Sequence, residues 1–243
     1  MAEQTQYADL VMAAKSFSGL EQQVKALKEL QASLSPEQHR NFTNTWRKVV
    51  AQPTAATSSS VSQQVKVKFP LNVPYFDQLD SKTSHGARMC QSSSIAMRIK
   101  QIDSKLISDD DSYLAIVNRY GDTVSQSAHQ KALASLGLKA SFRQDGNEKM
   151  LCDLLDTGIA VPIGVLHKGP VSNPTGGGHW IVLVGYDATH FWCMDPFGDM
   201  DLVNGNYVSN ASGSGKNIRY SRQNLMKRWL INSNSDGWLW IIE

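Results

Sequence analysis

The chain has 243 residues, of which 24 are basic and 22 acidic, and its hydrophobic content is 41%. That length holds one sizeable core and a small accessory unit, while a charge balance this close to neutral gives no general electrostatic case for nucleic acid or an anionic membrane as a partner. Three widely spaced cysteines, Cys90, Cys152 and Cys193, argue against a disulfide framework and a Cys-x-x-Cys metal site, and for a reducing compartment at synthesis.

The first residues, Met1 to Tyr7, carry neither a basic n-region nor a long apolar run, so no secretory signal is expected. No stretch has the apolar length that spans a bilayer. Residues 1–52 read as a helical hairpin. Ser18 and Glu21 form a capping box ahead of a stripe of Leu20, Val24, Leu27, Leu30 and Leu34, and Ser35-Pro36-Glu37-Gln38 starts a second helix with Phe42, Trp46, Val49 and Val50 on its apolar face. Residues 53–64, rich in Ser, Thr, Ala and Gln without periodicity, read as a flexible linker. The main domain then runs over 65–243.

Within that domain short extended segments are expected at Val65–Phe69 and Val73–Phe76, then a helix opening near Cys90. Further helices are expected at Asp110–Tyr120, Gln126–Leu136 and Glu148–Thr157, each stopped by a glycine (Gly121, Gly137, Gly158). Strands follow at Lys139–Arg143, Val161–Leu166, His179–Tyr186 and Phe191–Met194, then a helix near Gln223–Leu230 and a terminal strand at Trp238–Ile242. Helices mostly precede strands, which implies a segregated α+β domain. The Asn, Ser and Gly-rich stretch Tyr207–Lys216 reads as a mobile surface excursion.

The chemistry concentrates in three places. A glycine run, Gly176-Gly177-Gly178, delivers His179 to the start of a buried strand, and a second strand ends on Asp195 before Pro196. Adjacent antiparallel strands can set this imidazole and carboxylate side by side, as a base and its orienting group. Cys90 sits where small polar residues (Gln91 to Ser94) give way to apolar ones, as at a helix N-terminus, where the dipole favours a thiolate. Gln78 offers an amide N–H for a developing oxyanion beside the Cys90 N–H. Gly177, Gly178 and Trp180 flank His179 and are candidates for substrate contact.

Each residue also has a plainer reading: Cys90 as a buried structural thiol, His179 as a strand-start histidine, Asp195 as a turn-former. Cys152 and Cys193, within apolar segments, fit the core role. His85, His129, His167 and His190 lie near turns and are expected to be solvated. Zinc held by His179, Asp195, Cys90 and His85 lacks the tight ligand spacing of a strong metal site, so no metal and no cofactor is expected. The glycine run precedes a strand, which is the wrong context for a phosphate loop.

Taken together, Val73-Pro74-Tyr75-Phe76-Asp77-Gln78, Cys90 opening a helix, Gly178 to Tyr186 and Asp195-Pro196 resemble the papain-like cysteine peptidases related to the bacteriocin leader-processing (double-glycine) peptidases. The resemblance spans about Val65 to the C-terminus. It implies Cys90 as nucleophile, His179 as base, Asp195 as orienting acid and Gln78 as oxyanion-hole residue. Two departures mark this chain: Gln91-Ser92 follows the cysteine where the family commonly has Gly-Pro, and Leu79–Met89 lengthens the gap after Gln78. The longer form resembles a bacteriophage, endolysin-like branch.

The expectation is therefore a papain-like α+β cysteine hydrolase with a Cys-His-Asp triad, acting on peptide or amide bonds of bacterial peptidoglycan as a phage lysis enzyme. It would stay in the host cytoplasm after synthesis, reach the wall after release by a separate holin, and use the N-terminal hairpin for wall binding or for docking. The alternatives are a protease acting on proteins or leader peptides, and a non-catalytic interaction module or virion component of the same fold.

Overall fold

The computed structural model describes residues 70–243. The hairpin, the linker and the Val65–Phe69 segment lie outside the described residues. Among these, five helices and eight strands follow in the order α1 (Cys90–Ile102), α2 (Asp110–Val117), α3 (Gln126–Ser135), β1 (Ala140–Gly146), α4 (Glu148–Asp156), β2 (Val161–Val165), β3 (His179–Tyr186), β4 (His190–Met194), β5 (Asp199–Met200), β6 (Tyr207–Ser209), β7 (Ile218–Ser221), α5 (Arg222–Trp229) and β8 (Gly237–Ile242). Two 3-10 turns, Gln78–Asp80 and Gly86–Arg88, precede α1. The segregated α+β order expected from the sequence holds.

Local chemistry explains most element boundaries. Asp109 caps α2 by accepting from the Ser112 N–H at 2.8 Å, Ser125 caps α3 through Ala128, and Asn147 caps α4 through Met150 at 2.9 Å. Gly137 and Gly158 stand just past α3 and α4 with φ of 77° and 86°, the left-handed conformation in which helices end. Val73–Phe76 is in no strand, since Pro74 has no N–H to give a ladder; just before it the Leu71 N–H donates to the Val184 carbonyl at 2.6 Å, and the Tyr75 hydroxyl donates to the Asp195 carbonyl at 3.0 Å. One expected boundary needs correction. α2 stops at Val117, three residues early, and closes through turns to Tyr120.

The main sheet has the order β1-β8-β2-β3-β4-β7, with every pairing antiparallel. Central β3 is buried at all eight positions, so it is covered on both faces and its sequence does not alternate. On one face Trp180, Val182 and Val184 meet α1 through Ile95, Met97 and Ile99; on the other Ile181 and Leu183 meet Leu151 and Leu155 of α4 and Leu225 and Trp229 of α5. Helix α1 is buried from Gln91 through Ile99. Its serines permit that close packing and are mostly satisfied: Ser92 Oγ meets Thr123 Oγ1 at 2.7 Å, and Ser93 Oγ donates to Asp110 Oδ2 at 2.5 Å. Burial raises the Asp110 carboxyl to about 6 against the opposing Ser93 hydrogen bond, so this anchor between α1 and α2 is partly protonated near that pH.

Candidate active site

Cys90 is the first residue of α1, His179 the first of β3, and Asp195 follows β4 directly. Strands β3 and β4 are paired neighbours, with Val182 opposite Met194. That pairing brings the imidazole and carboxylate together: His179 Nε2 donates to Asp195 Oδ1 at 2.7 Å, with both side chains almost wholly withdrawn from solvent. The half-buried Cys90 thiol lies close enough to the same imidazole to favour its charged form, and with Nε2 taken by Asp195 the nitrogen left for it is Nδ1.

Asp195 is saturated with donors. Its Oδ1 also accepts the Phe197 N–H at 3.0 Å, and Oδ2 accepts the Tyr220 hydroxyl at 3.1 Å. Its backbone is fixed as well: the Asp195 N–H donates to the Gly215 carbonyl at 2.9 Å, and its carbonyl accepts the Tyr75 hydroxyl at 3.0 Å. Gly215 is required there, because a Cβ at that position would lie 1.9 Å from the Asp195 oxygen.

Burial works against a charged His179, but the Asp195 carboxylate and its hydrogen bond, followed by Cys90, outweigh it and push the imidazole up to about 10 from its ordinary 6.5. His179 is therefore protonated through the neutral range. Aromatic rings surround it. Tyr207 stands edge-on at 5.8 Å, His167 at 5.7 Å and Phe197 at 6.3 Å between ring centroids, and they shield the His179 side chain from water. Burial and then the His179 charge hold His167 down at about 4, so this neighbour stays neutral beside the imidazolium.

Gln78 is buried beside this cluster. Its N–H donates to the Pro196 carbonyl at 2.9 Å, and its Nε2 donates to the Gly86 carbonyl at 2.6 Å, leaving the second amide hydrogen free to donate elsewhere. The lengthened Leu79–Met89 segment thus orients Gln78. It is itself tied down by Ser81 and Lys82 on Asp111 and by a two-pronged Arg88–Asp122 pair at 2.9 and 3.0 Å.

A cleft of about 450 Å³ opens from Cys90. The expected contact residues Gly177, Gly178 and Trp180 all line it, and the two glycines face open space, where a Cβ would meet nothing within 4 Å. Among the described residues no cluster of three His, Cys, Asp or Glu side chains is placed to hold a metal. No described helix is long and apolar enough to cross a membrane.

Several expectations change. Tyr207–Lys216 lies largely at the surface as expected, but it is anchored to the site: Tyr207 packs on His179, Gly215 receives Asp195, and the Gly213 N–H reaches Asp77 Oδ2 at 3.2 Å. His129 is fully buried, between the Tyr113 hydroxyl at 3.0 Å and the Thr123 carbonyl at 2.7 Å, and His167 belongs to the site. Cys193 is buried as expected, whereas Cys152 is only half-buried, beside Arg222. Sequence reading missed Tyr75, Tyr207, Tyr220 and Arg228. The guanidinium of Arg228, wholly buried and with no carboxylate among its described hydrogen-bond partners, donates to the carbonyls of Leu166, Lys168, Gly169 and Leu202 and clamps the β2–β3 connection to the β5–β6 turn. Arg228 follows Lys227 on a polar, basic helix, so the sequence gives no sign that this guanidinium is the buried one.

The family model described as the Peptidase_C39 like family matches residues 70–236. Among solved structures, the chain is similar to a protein described as a C39-like peptidase from Bacillus anthracis, with 16% identity, 72% of this chain and 98% of that chain covered, and a TM-score of 0.49. It is also similar to the peptidase domain of Streptococcus ComA, described as a bifunctional ABC transporter involved in a quorum sensing pathway, with 16% identity, coverage of 72% and 97%, and a TM-score of 0.44. A double glycine motif protease from an AMS/PCAT transporter, in complex with its leader peptide, matches with 16% identity, coverage of 74% and 98%, and a TM-score of 0.44. No curated protein sequence matches.

Proposed function

The chain belongs to the Peptidase_C39-like family, cysteine peptidases of papain-like fold, and we propose that it hydrolyses peptide bonds in proteins or leader-like peptides through Cys90, His179 and Asp195. The observation that carries this reading is the buried His179–Asp195 hydrogen bond with the Cys90 thiol near the same ring. The thiolate attacks the substrate carbonyl carbon, forming a C–S bond and an oxyanion. Two donors face that charge: the Cys90 N–H, which as the first helical residue has no intrahelical acceptor, and the second Nε2 hydrogen of Gln78. Collapse breaks the C–N bond as His179 gives its Nδ1 proton to the leaving amine. Water then attacks the thioester with His179 as base, releasing the acid and restoring the thiol.

Peptidoglycan as the substrate rests on one sequence feature, the lengthened Leu79–Met89 segment. Its contacts explain it without the cell wall, since it holds Gln78 and is pinned to α2 and to the loop before α3. The peptide reading is therefore the better supported.

The deciding experiment sets an unfolded protein, a peptide library and purified peptidoglycan before the wild-type protein and Cys90→Ala, with products read by mass. Wild type is expected to cut peptides, to fail after iodoacetamide and to persist in chelator, while Cys90→Ala loses about a thousandfold or more. Muropeptide release without peptide cleavage would restore the cell-wall reading. Equal activity in both proteins would remove Cys90 from the chemistry, and no hydrolysis of any substrate would favour a non-catalytic module.

A further inference from the structure

We propose that the cleft beside Cys90 receives a cationic side chain, lysine or arginine, of the peptide substrate, with Asp236 as the residue that selects it; this inference rests on the peptidase reading and deepens it. Among the described residues that line the cleft Asp236 is the only acidic or basic one. Its Oδ2 accepts the N–H groups of Asn232 at 2.6 Å and Ser233 at 3.2 Å, which fixes the carboxylate in the loop between α5 and β8. Its Oδ1 is buried with no donor among the described residues. A carboxylate oxygen withdrawn from water and left unpaired is costly, and a substrate ammonium or guanidinium supplies both the donor and the opposite charge.

The walls suit the rest of such a side chain. Trp180, Trp229 and Trp238 line the cleft, and the Trp229 Nε1–H donates to the Trp238 carbonyl at 2.8 Å, holding that lip in place. A lysine or arginine stem packs on these indoles, whose faces also attract the cation. At the catalytic end Gln91, adjacent to Cys90, has its Nε2 buried without an acceptor among the described residues. Two residues of the cleft wall thus carry, among the described residues, one acceptor lacking a donor and one donor lacking an acceptor. A peptide with a basic side chain provides both, the second through a backbone carbonyl. A purely apolar side chain leaves Oδ1 unpaired, and an acidic one is repelled.

The test uses peptides that differ only in carrying lysine, arginine, norleucine or glutamate at each position flanking a bond the full-length protein cuts. At one position kcat/KM for the basic residues should exceed that for norleucine at least tenfold, with glutamate the poorest. Asp236→Asn, which keeps an oxygen for Asn232 and Ser233, should bring the lysine-to-norleucine ratio close to one, and Asp236→Lys should turn the preference toward glutamate. Equal rates for lysine and norleucine at every position in the wild type would overturn the inference, as would a lysine preference that survives Asp236→Asn. Absence of any Cys90-dependent hydrolysis would instead overturn the peptidase reading. The subsite is then judged by binding of the same peptides to full-length Cys90→Ala, followed by indole fluorescence: tighter binding of the lysine peptide supports it, and equal affinity rejects it.

Discussion

A protonated imidazole with so little access to water persists only where a fixed counter-charge compensates for lost hydration. Asp195 provides that for His179, and Tyr220 and the Phe197 N–H hold the carboxylate in place. The sign of the pH effect follows. Because the folded-state value is raised from 6.5 to about 10, the stabilisation by the charged ring is fully present below about pH 6.5 and is lost as pH rises through 10. Urea unfolding at pH 6 and pH 10 should therefore show a larger deficit of His179→Gln relative to wild type at the lower pH; an equal deficit would contradict a raised value. Asp195→Asn should retain a fraction of turnover, since that residue orients the base and does not itself attack. Tyr220→Phe removes one donor from Oδ2 and the acceptor of the Met200 N–H at 2.7 Å. About a tenfold fall in kcat with little change in KM is expected, on the scale of one hydrogen bond to a charged group. At this scale the Cys90, His179 and Asp195 arrangement was legible, because a glycine-led strand start, a helix opening and a strand end are local signals. Tyr207, Tyr220 and Arg228 were not, since their contacts depend on which distant strands pair.

The elements missed by sequence reading are β5, β6 and β7, two to four residues each and set among Asn, Ser and Gly. Such short runs carry no period of their own, and only pairing across the chain, such as Cys193 with Ile218 and Asp199 with Ser209, defines them. Yet they wall the site. Gly215, in the loop between β6 and β7, shows how closely they approach it, and Gly215→Ala should lower stability by about 2–3 kcal/mol in urea unfolding because backbone must move to admit the methyl. Activity should fall with it through Asp195; an unchanged midpoint and rate would deny the close approach. The helical layer has its own pH device. His129 accepts from Tyr113 of α2 and donates to Thr123 while buried, and burial lowers it to about 4, against the weaker effect of the Thr123 hydrogen bond. The stabilisation that comes from keeping it neutral is complete above about pH 6.5 and is lost as pH falls through 4. His129→Gln should flatten the slope of stability against pH between those limits, even if it lowers stability overall; an unaltered slope would assign the acid sensitivity to other groups.

On the scale of the whole chain, the family match begins at residue 70, and the described sheet, core and site are completed by residues from that point onward. The Leu71 N–H already reaches β3, and Asp77 and Gln78 are tied to the loops around Asp195. We propose that the boundary read from composition, a helical hairpin over 1–52 and a linker over 53–64, sets off a part that serves something other than the catalytic fold. A chain beginning at Val65 should therefore melt as one cooperative unit and cut small soluble peptides with the kcat/KM of the full-length protein. If residues 1–52 bind the cell wall, this shorter chain should also lose pull-down with intact peptidoglycan while keeping peptide hydrolysis. If they recognise a protein substrate, the loss should instead appear as a higher KM for the large substrate alone, at constant kcat. A lower melting temperature together with depressed turnover of every substrate would show that the hairpin is part of the enzyme's core stability, and would move the boundary of the catalytic unit back toward Met1.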